Sequence, residues 1–213
     1  MAAGLFDANR ARRLSPIPLR VGVVASVGSA AWHDFRDEIE RSGYGFHLVV
    51  CDTRVQGEWA VPMVAASIRT LARRDDLDCV VVIRGGGARN ELATFDAEPI
   101  ALAIATSRLL VLTGLGHEVD RSVADEVAHL ALKTPTACAG ALVDAVHDYG
   151  LAAERRWASI AAVARQDLDV TAAALTYRAH RIARRTHAAV ERADERLATR
   201  LERVRSTPGR QLA

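Results

Sequence analysis

Four short, predominantly apolar runs punctuate the first half of the chain: Val21–Ala25, Phe46–Cys51, Cys79–Ile83 and Leu109–Leu112. Runs this short, without polar alternation, read as strands buried on both faces of a parallel sheet. Between them the period changes. Ala31–Arg41 is amphipathic and stops at Gly43; Trp59–Arg74 places Val61, Val64, Ile68 and Leu71 on one helical face; Pro99–Thr106 is again helical. Strand–helix alternation with right-handed crossovers predicts an α/β domain built on a doubly wound, mostly parallel sheet.

The pattern changes after Thr134-Pro135. From Thr136 to about Arg205 there is no Pro, and Gly140 and Gly150 are the only glycines. Leu168, Leu175, Ile182 and Ala189 recur seven apart, and Ala172, Ala179 and Ala193 follow members of that series by four. This spacing predicts a long α-helical coiled-coil extension with a weak, Ala-rich seam. A continuous helix over this stretch would be about 100 Å long at 1.5 Å per residue, too long to bury its stripe on a small domain, so it calls for a partner. A shorter hairpin of helices folding back on itself is the plainer alternative. The expected organisation is a basic linker over 1–20, an α/β domain over 21–135, a helical stalk over 136–205 and a tail over 206–213.

Composition narrows the classes. Half of the 213 residues are hydrophobic and a quarter are charged, which is globular composition. The net charge of +2 hides an uneven distribution. Residues 1–20 carry four Arg against one Asp, residues 21–150 carry 11 basic against 18 acidic side chains, and residues 151–213 carry 13 Arg against 7 acids. Cys51, Cys79 and Cys138 form no CxxC pair and read as reduced thiols, not as a disulfide framework or a zinc site. No apolar run approaches the ~20 residues of a membrane span, and the N-terminus lacks the apolar core of a signal peptide, so a cytoplasmic protein without membrane association is expected. Lys133 is the only lysine, so any chemistry needing a P-loop or Schiff-base lysine depends on that residue.

In an open parallel sheet, ligands bind beyond the carboxyl ends of the strands. Three such ends carry unusual polar residues here. After the first strand come Ser26, Gly28, Ser29 and then Asp34. After the third come Arg84 and Gly85, Gly86 and Gly87. After the fourth come Gly114, Gly116, His117, Glu118 and Asp120. Ser26–Ser29 suits an ordinary strand-to-helix turn with a Ser cap, and equally a phosphate cradle of backbone N–H groups. Neither standard nucleotide fingerprint, GxGxxG or GxxxxGK[ST], occurs. Three glycines after Arg84 leave room for a bulky chain, onto whose phosphate the guanidinium could fork. Together the set reads as phosphoryl transfer: Arg84 stabilises phosphate charge, His117 serves as general acid or base, and Asp34 and Asp120 orient His117 or water. The same Asp34, His117 and Asp120 could instead hold a divalent metal, and residue types alone do not decide between the two. A mononucleotide-binding, flavodoxin-like domain is a further alternative.

These motifs resemble those of a known family, the large subunit of bacterial exodeoxyribonuclease VII. The resemblance runs through GLFDANRARRLSPIPLRVGVVAS (Gly4–Ser26), GSAAWHDF (Gly28–Phe35), RGGGARNEL (Arg84–Leu92), GHEVDRSVADEVA (Gly116–Ala128) and KTPTACAGALV (Lys133–Val143). It implies a nuclease domain that hydrolyses single-stranded DNA as an exonuclease to 5′-phosphorylated products. It implies no required cofactor, a divalent metal not being expected. By resemblance Asp34, Arg84, His117 and Asp120 are the catalytic residues, with Ser26, Gly28, Ser29, Gly85, Gly86, Gly87 and Gly116 around the phosphate. The implied partners are single-stranded DNA and a small helical subunit, several copies of which bind the coiled coil. The family's oligonucleotide-binding barrel, which precedes the nuclease domain, is expected to be absent from this sequence. A scaffold that binds the small subunit without turnover is the other outcome such a chain could have.

Overall fold

The computed structural model describes residues 4–86, 89–116 and 121–206. The four apolar runs are strands: β1 (Arg20–Ala25), β2 (His47–Asp52), β3 (Cys79–Ile83) and β4 (Leu110–Gly114). A fifth strand, β5 (Leu130–Leu132), joins them in the order β2-β1-β3-β4-β5, with every pairing parallel. β5 was not predicted: three partly exposed residues are too few to show a period, and it is their parallel pairing with Leu112–Gly114 of β4 that makes them a strand.

Helices cover both faces, as a doubly wound sheet requires. Val21, Val23 and Ala25 of β1, Cys79, Val81 and Ile83 of β3, and Leu110 and Leu112 of β4 form one face. They meet Trp32, Phe35 and Ile39 of α1 (Ala30–Arg41) and Cys138, Ala139 and Leu142 at the start of α5 (Pro135–Ser206). The alternate positions Val24, Val80, Val82 and Val111 point the other way. There they meet α2 (Ala60–Ala72), α3 (Glu98–Ala105) and α4 (Val123–Val127). The period of two is what lets a continuous apolar run serve two helix layers at once. A 3₁₀ segment, Arg89–Asp96, leads into α3.

Gly114 has the least room for a side chain of the glycines among the described residues. A Cβ there would lie 2.7 Å from Cys138 Sγ and 3.0 Å from the Thr134 carbonyl oxygen. The end of β4 can therefore touch the first turn of α5 only without a side chain. Gly114→Val is expected to destabilise the fold by about 2 kcal/mol through overpacking, read as a lowered melting temperature. A variant as stable as the parent would show that α5 can shift away at no cost.

Asn9, outside any regular element, is fully buried and ties the chain ahead of β1 to the far edge of the sheet. Its Nδ2 donates to the carbonyls of Ile104 (3.0 Å) and Leu109 (3.1 Å). Its Oδ1 accepts from the backbone N–H of Val111 (2.8 Å) and of His129 (3.2 Å). Close by, Arg10 pairs with Glu126 of α4 at 3.0 Å.

The thiols are separated by their surroundings. Burial pushes the Cys79 thiol up to about 12, with Asp78 nearby adding to the rise. Burial, and then the charges of Asp125 and Cys79, raise Cys138 further still. Cys51 is half-buried; its desolvation raises it too, against a hydrogen bond with Ser67 and the charge of Arg74. The thiolate is the reactive form. A disulfide reagent at pH 8 is therefore expected to modify Cys51 alone in the folded protein and all three thiols after unfolding. Rapid modification of Cys138 in the native state would contradict this packing.

The chain divides into two compact units, Met1–Ala153 and Glu154–Ala213. α5 runs as one helix of 72 residues, so the hairpin alternative does not hold. Within the second unit Leu168, Leu175 and Ile182 are exposed, and so are Val190, Leu197 and Val204, again seven apart and displaced by one position. A straight helix drifts by about 20° per heptad, so a one-residue shift keeps the stripe on one side, as fits a coiled coil. Among the described residues no helix is long and apolar enough to cross a membrane.

Candidate functional site

The sheet order reverses between β1 and β3: the chain leaves β1 towards β2 on one side and β3 lies on the other. At this switch point the loops beyond the two strands splay and leave a crevice. A cleft of about 400 Å³ opens there, lined by Ser26, Ser29 and Ala30 beyond β1, Arg54, Val55 and Gln56 beyond β2, and Gly85 and Gly86 beyond β3. The structure thus brings together four residues predicted from sequence (Ser26, Ser29, Gly85, Gly86) with three from a loop that carried no prediction. The signal for Arg54 and Gln56 was available in kind, since they follow a strand's carboxyl end, but nothing in the sequence said that β2 lies beside β1.

Ser29 takes the capping role and also stands at the cleft. It is the N-cap of α1, its Oγ accepting from the Trp32 N–H at 3.3 Å, and it lines the cleft. Its own Oγ–H donates to the Ser26 carbonyl at 2.7 Å, closing the turn. The Val27 N–H donates to Asp52 Oδ1 at 3.0 Å, so the end of β2 holds the β1–α1 turn in place. The first turn of α1 therefore presents its N-terminus to the cleft, where the helix dipole favours negative charge.

Glycine matters at two points of the next loop. A Cβ on Gly85 would stand 3.6 Å from the Ala31 Cβ, so β3 and α1 meet there closely, whereas a Cβ on Gly86 would meet nothing within 4 Å. The room in front of Gly86 is the room of the cleft. Gly116 adopts φ +85°, and the position of a Cβ on it lies 3.7 Å from the Arg84 carbonyl and from Gly85. The β4 loop thus lies directly against the β3 loop. Gly28 lies on the same β1–α1 turn without lining the cleft.

Arg84 is fully buried at the end of β3, its N–H donating to the Gly114 carbonyl at 3.1 Å. It stands immediately behind the two cleft glycines in the chain and does not line the cleft. Asp34 is exposed on α1, one helical turn past Ala31. Residues three apart share a helix face, so Asp34 lies on the flank whose Ala31 touches Gly85. Gly87, His117 and Asp120 lie outside the described residues. The chain on either side of 117–120 is anchored: Gly116 against the β3 loop, and Ser122 as the N-cap of α4. Asp125 secures the second anchor. Its Oδ2 accepts from the Ser122 N–H (3.1 Å) and Oγ–H (2.8 Å), and its Oδ1 accepts from the buried Thr113 Oγ–H on β4 at 2.6 Å. Sequence reasoning passed over Asp125 and Thr113, although S-x-x-D is a recognisable capping box.

Among the described residues no three His, Cys, Asp or Glu side chains are grouped to hold a metal. A second hollow of about 410 Å³ between α2 and α3 is lined by Arg69, Arg73, Thr106, Ser107 and Arg108, and contains no predicted site residue. The switch-point cleft, by contrast, is lined by four of the predicted site residues, Ser26, Ser29, Gly85 and Gly86.

Residues 5–213 match the protein family described as "Exonuclease VII, large subunit". The exodeoxyribonuclease 7 large subunit of Syntrophotalea carbinolica is 40% identical over 142 residues, covering 67% of this chain and 35% of the relative. That of Thioalkalivibrio sulfidiphilus is 40% identical over 136 residues, covering 64% and 30%. That of a Nostoc species is 36% identical over 143 residues, covering 67% and 35%. The chain spans about a third of the length of these curated relatives. Among solved structures, a crystal structure of the Francisella novicida lysine decarboxylase LdcF matches with a TM-score of 0.36 and 11% identity, over 65% of this chain and 18% of that one. A likeness that low carries no statement about fold or function.

Proposed function

The chain belongs to the exonuclease VII large-subunit family, and on that premise we propose that its α/β unit hydrolyses phosphodiester bonds of single-stranded DNA, releasing 5′-phosphorylated products. The observation that carries the proposal is the meeting of three loops at the carboxyl edge of the sheet: the α1 N-terminus, the glycines after Arg84, and Gly116 leading into His117.

In this reading the phosphate sits over Gly86, where space is open, with the N-terminus of α1 and Ser29 beside it. Water attacks phosphorus and the bond to the 3′-oxygen breaks, so the phosphate stays on the 5′ side. His117 takes the proton of water or supplies the one the 3′-oxygen needs, and Asp34 and Asp120 orient it. Arg84 lies in a water-free position, where its charge is poorly screened and opposes the negative charge that builds on the phosphate oxygens. No divalent metal is required in this scheme. The exposed apolar stripe of α5 takes several copies of a small helical subunit.

The test is cleavage of end-labelled single-stranded DNA by the purified chain in excess EDTA, with and without the small subunit. Cleavage is expected in EDTA. Cleavage only on adding magnesium would transfer Asp34, His117 and Asp120 to a metal site. No cleavage under either condition would reject the nuclease reading for this chain and leave the scaffold.

A further inference from the structure

The β2–α2 loop, Thr53–Trp59, has no role in the scheme above, yet it forms one wall of the cleft. Two of its features are unusual for a plain connection. Arg54 and Gln56 line the cleft opposite Ser29 and Gly86. Trp59, three residues further, is 59% exposed, which makes it the most exposed large hydrophobic side chain among the described residues of the Met1–Ala153 unit. An indole buries a large apolar area when it can, and leaving its face in water forgoes that stabilisation.

We propose that this loop is a nucleotide subsite adjoining the cleft, in which Trp59 stacks on a base of single-stranded DNA and Arg54 holds the neighbouring phosphate. The inference rests on the reading of the cleft as a single-strand site and extends it to where the strand is gripped. Proteins that hold single strands without regard to sequence combine a cationic groove along the backbone with aromatic platforms for the bases, because every base has a stacking face. One cationic and one aromatic side chain of this kind, Arg54 and Trp59, stand on one short loop here. Arg54 is exposed and forms no ion pair among the described residues. Its acidic neighbour Asp52 is engaged by the Val27 N–H, and Glu58 is the remaining acid of the loop.

The platform is also fixed in place. Trp59 is the N-cap residue of α2 and its carbonyl accepts from the Met63 N–H at 3.2 Å. The Ala60 N–H donates to the Gly57 carbonyl at 3.1 Å, closing a turn that contains Trp59 and that Gly57 enters at φ +87°. A left-handed residue there turns the chain from the cleft-lining residues 54–56 into the helix that Trp59 opens. Stacking from a pre-set backbone loses little entropy on binding.

The experiment is fluorescence anisotropy of a labelled thymidine oligonucleotide and of an abasic oligonucleotide of equal length, titrated with the full chain in EDTA. Trp59→Ala is expected to weaken thymidine binding roughly 5- to 150-fold, the range of one lost base–aromatic stack, and Trp59→Phe to restore most of it. On the abasic strand Trp59→Ala and the parent are expected to bind alike. Arg54→Ala is expected to weaken both strands and to lower the slope of log K against log salt by about one. If the parent binds thymidine strands and Trp59→Ala binds them equally, the subsite is refuted and the cleft reading stands. An equal loss on both strands also refutes it, because Trp59 would then be supporting the loop. If the parent binds neither strand at low salt, the single-strand reading falls and the subsite with it.

Discussion

Replacing His117 by Ala is expected to reduce cleavage of single-stranded DNA by at least about a hundredfold, the lower bound for losing a positioned acid–base group. In the proposed scheme His117 is the general acid or base, the role that histidine fills most often, and Arg84 and the carboxylates do not transfer the proton. Without that transfer either hydroxide must form unaided or the 3′-oxygen must leave as an alkoxide. The readout is the initial rate on end-labelled substrate, alongside the melting temperature. A rate that falls while the melting temperature holds supports the role. Undiminished cleavage would remove His117 from the chemistry, and a collapse in melting temperature would make it a structural residue.

The second large effect is on stability. Asn9→Ala is expected to cost about 3 kcal/mol, the sum of a buried unsatisfied N–H and the bonds lost around it. The four bonds of Asn9 use its whole capacity, two donors and two acceptor sites. Their loss is uneven. The Ile104 and Leu109 carbonyls keep a second partner in Ser107, and the His129 N–H keeps the Val111 carbonyl. The Val111 N–H is left with none, at a fully buried position. Asn9→Asp is expected to be at least as damaging: it restores the acceptor for Val111 but sets a carboxylate against two carbonyl oxygens. Urea denaturation checks both, with the midpoint of Asn9→Ala expected to fall by about 1–2 M at a typical slope. A midpoint within a few tenths molar of the parent would mean that residues ahead of β1 contribute little to the fold.

These two residues illustrate opposite kinds of legibility. His117 stands out in the sequence because Gly116, Glu118 and Asp120 surround it in a motif, and motifs are local. Asn9 looks like any polar residue of a basic lead-in, because its partners lie 95 to 120 positions away. Arg54 and Trp59 fall between. Their loop position follows from the period change at Cys51, but the place of Arg54 on the cleft wall needs the knowledge that β2 pairs with β1.

What the amino-acid sequence determines by itself is what acts over short distances along the chain. Short apolar runs specify strands, the 3.6-residue period specifies the helices between them, and the Pro-free heptads after Pro135 specify helix with an apolar stripe; that it runs as one helix and not as a hairpin is decided in the structure. Local motifs likewise carry the family and the residues proposed for chemistry. The tertiary structure alone decided the rest: the strand order and its switch point, the cleft that opens there, the short β5, and the contacts of Asn9, Gly114 and Asp125. Each of these depends on groups far apart in sequence meeting at van der Waals or hydrogen-bond distance. Pairing of strands and closure of layers is a property of the whole chain, and no local period encodes which strand will lie beside which.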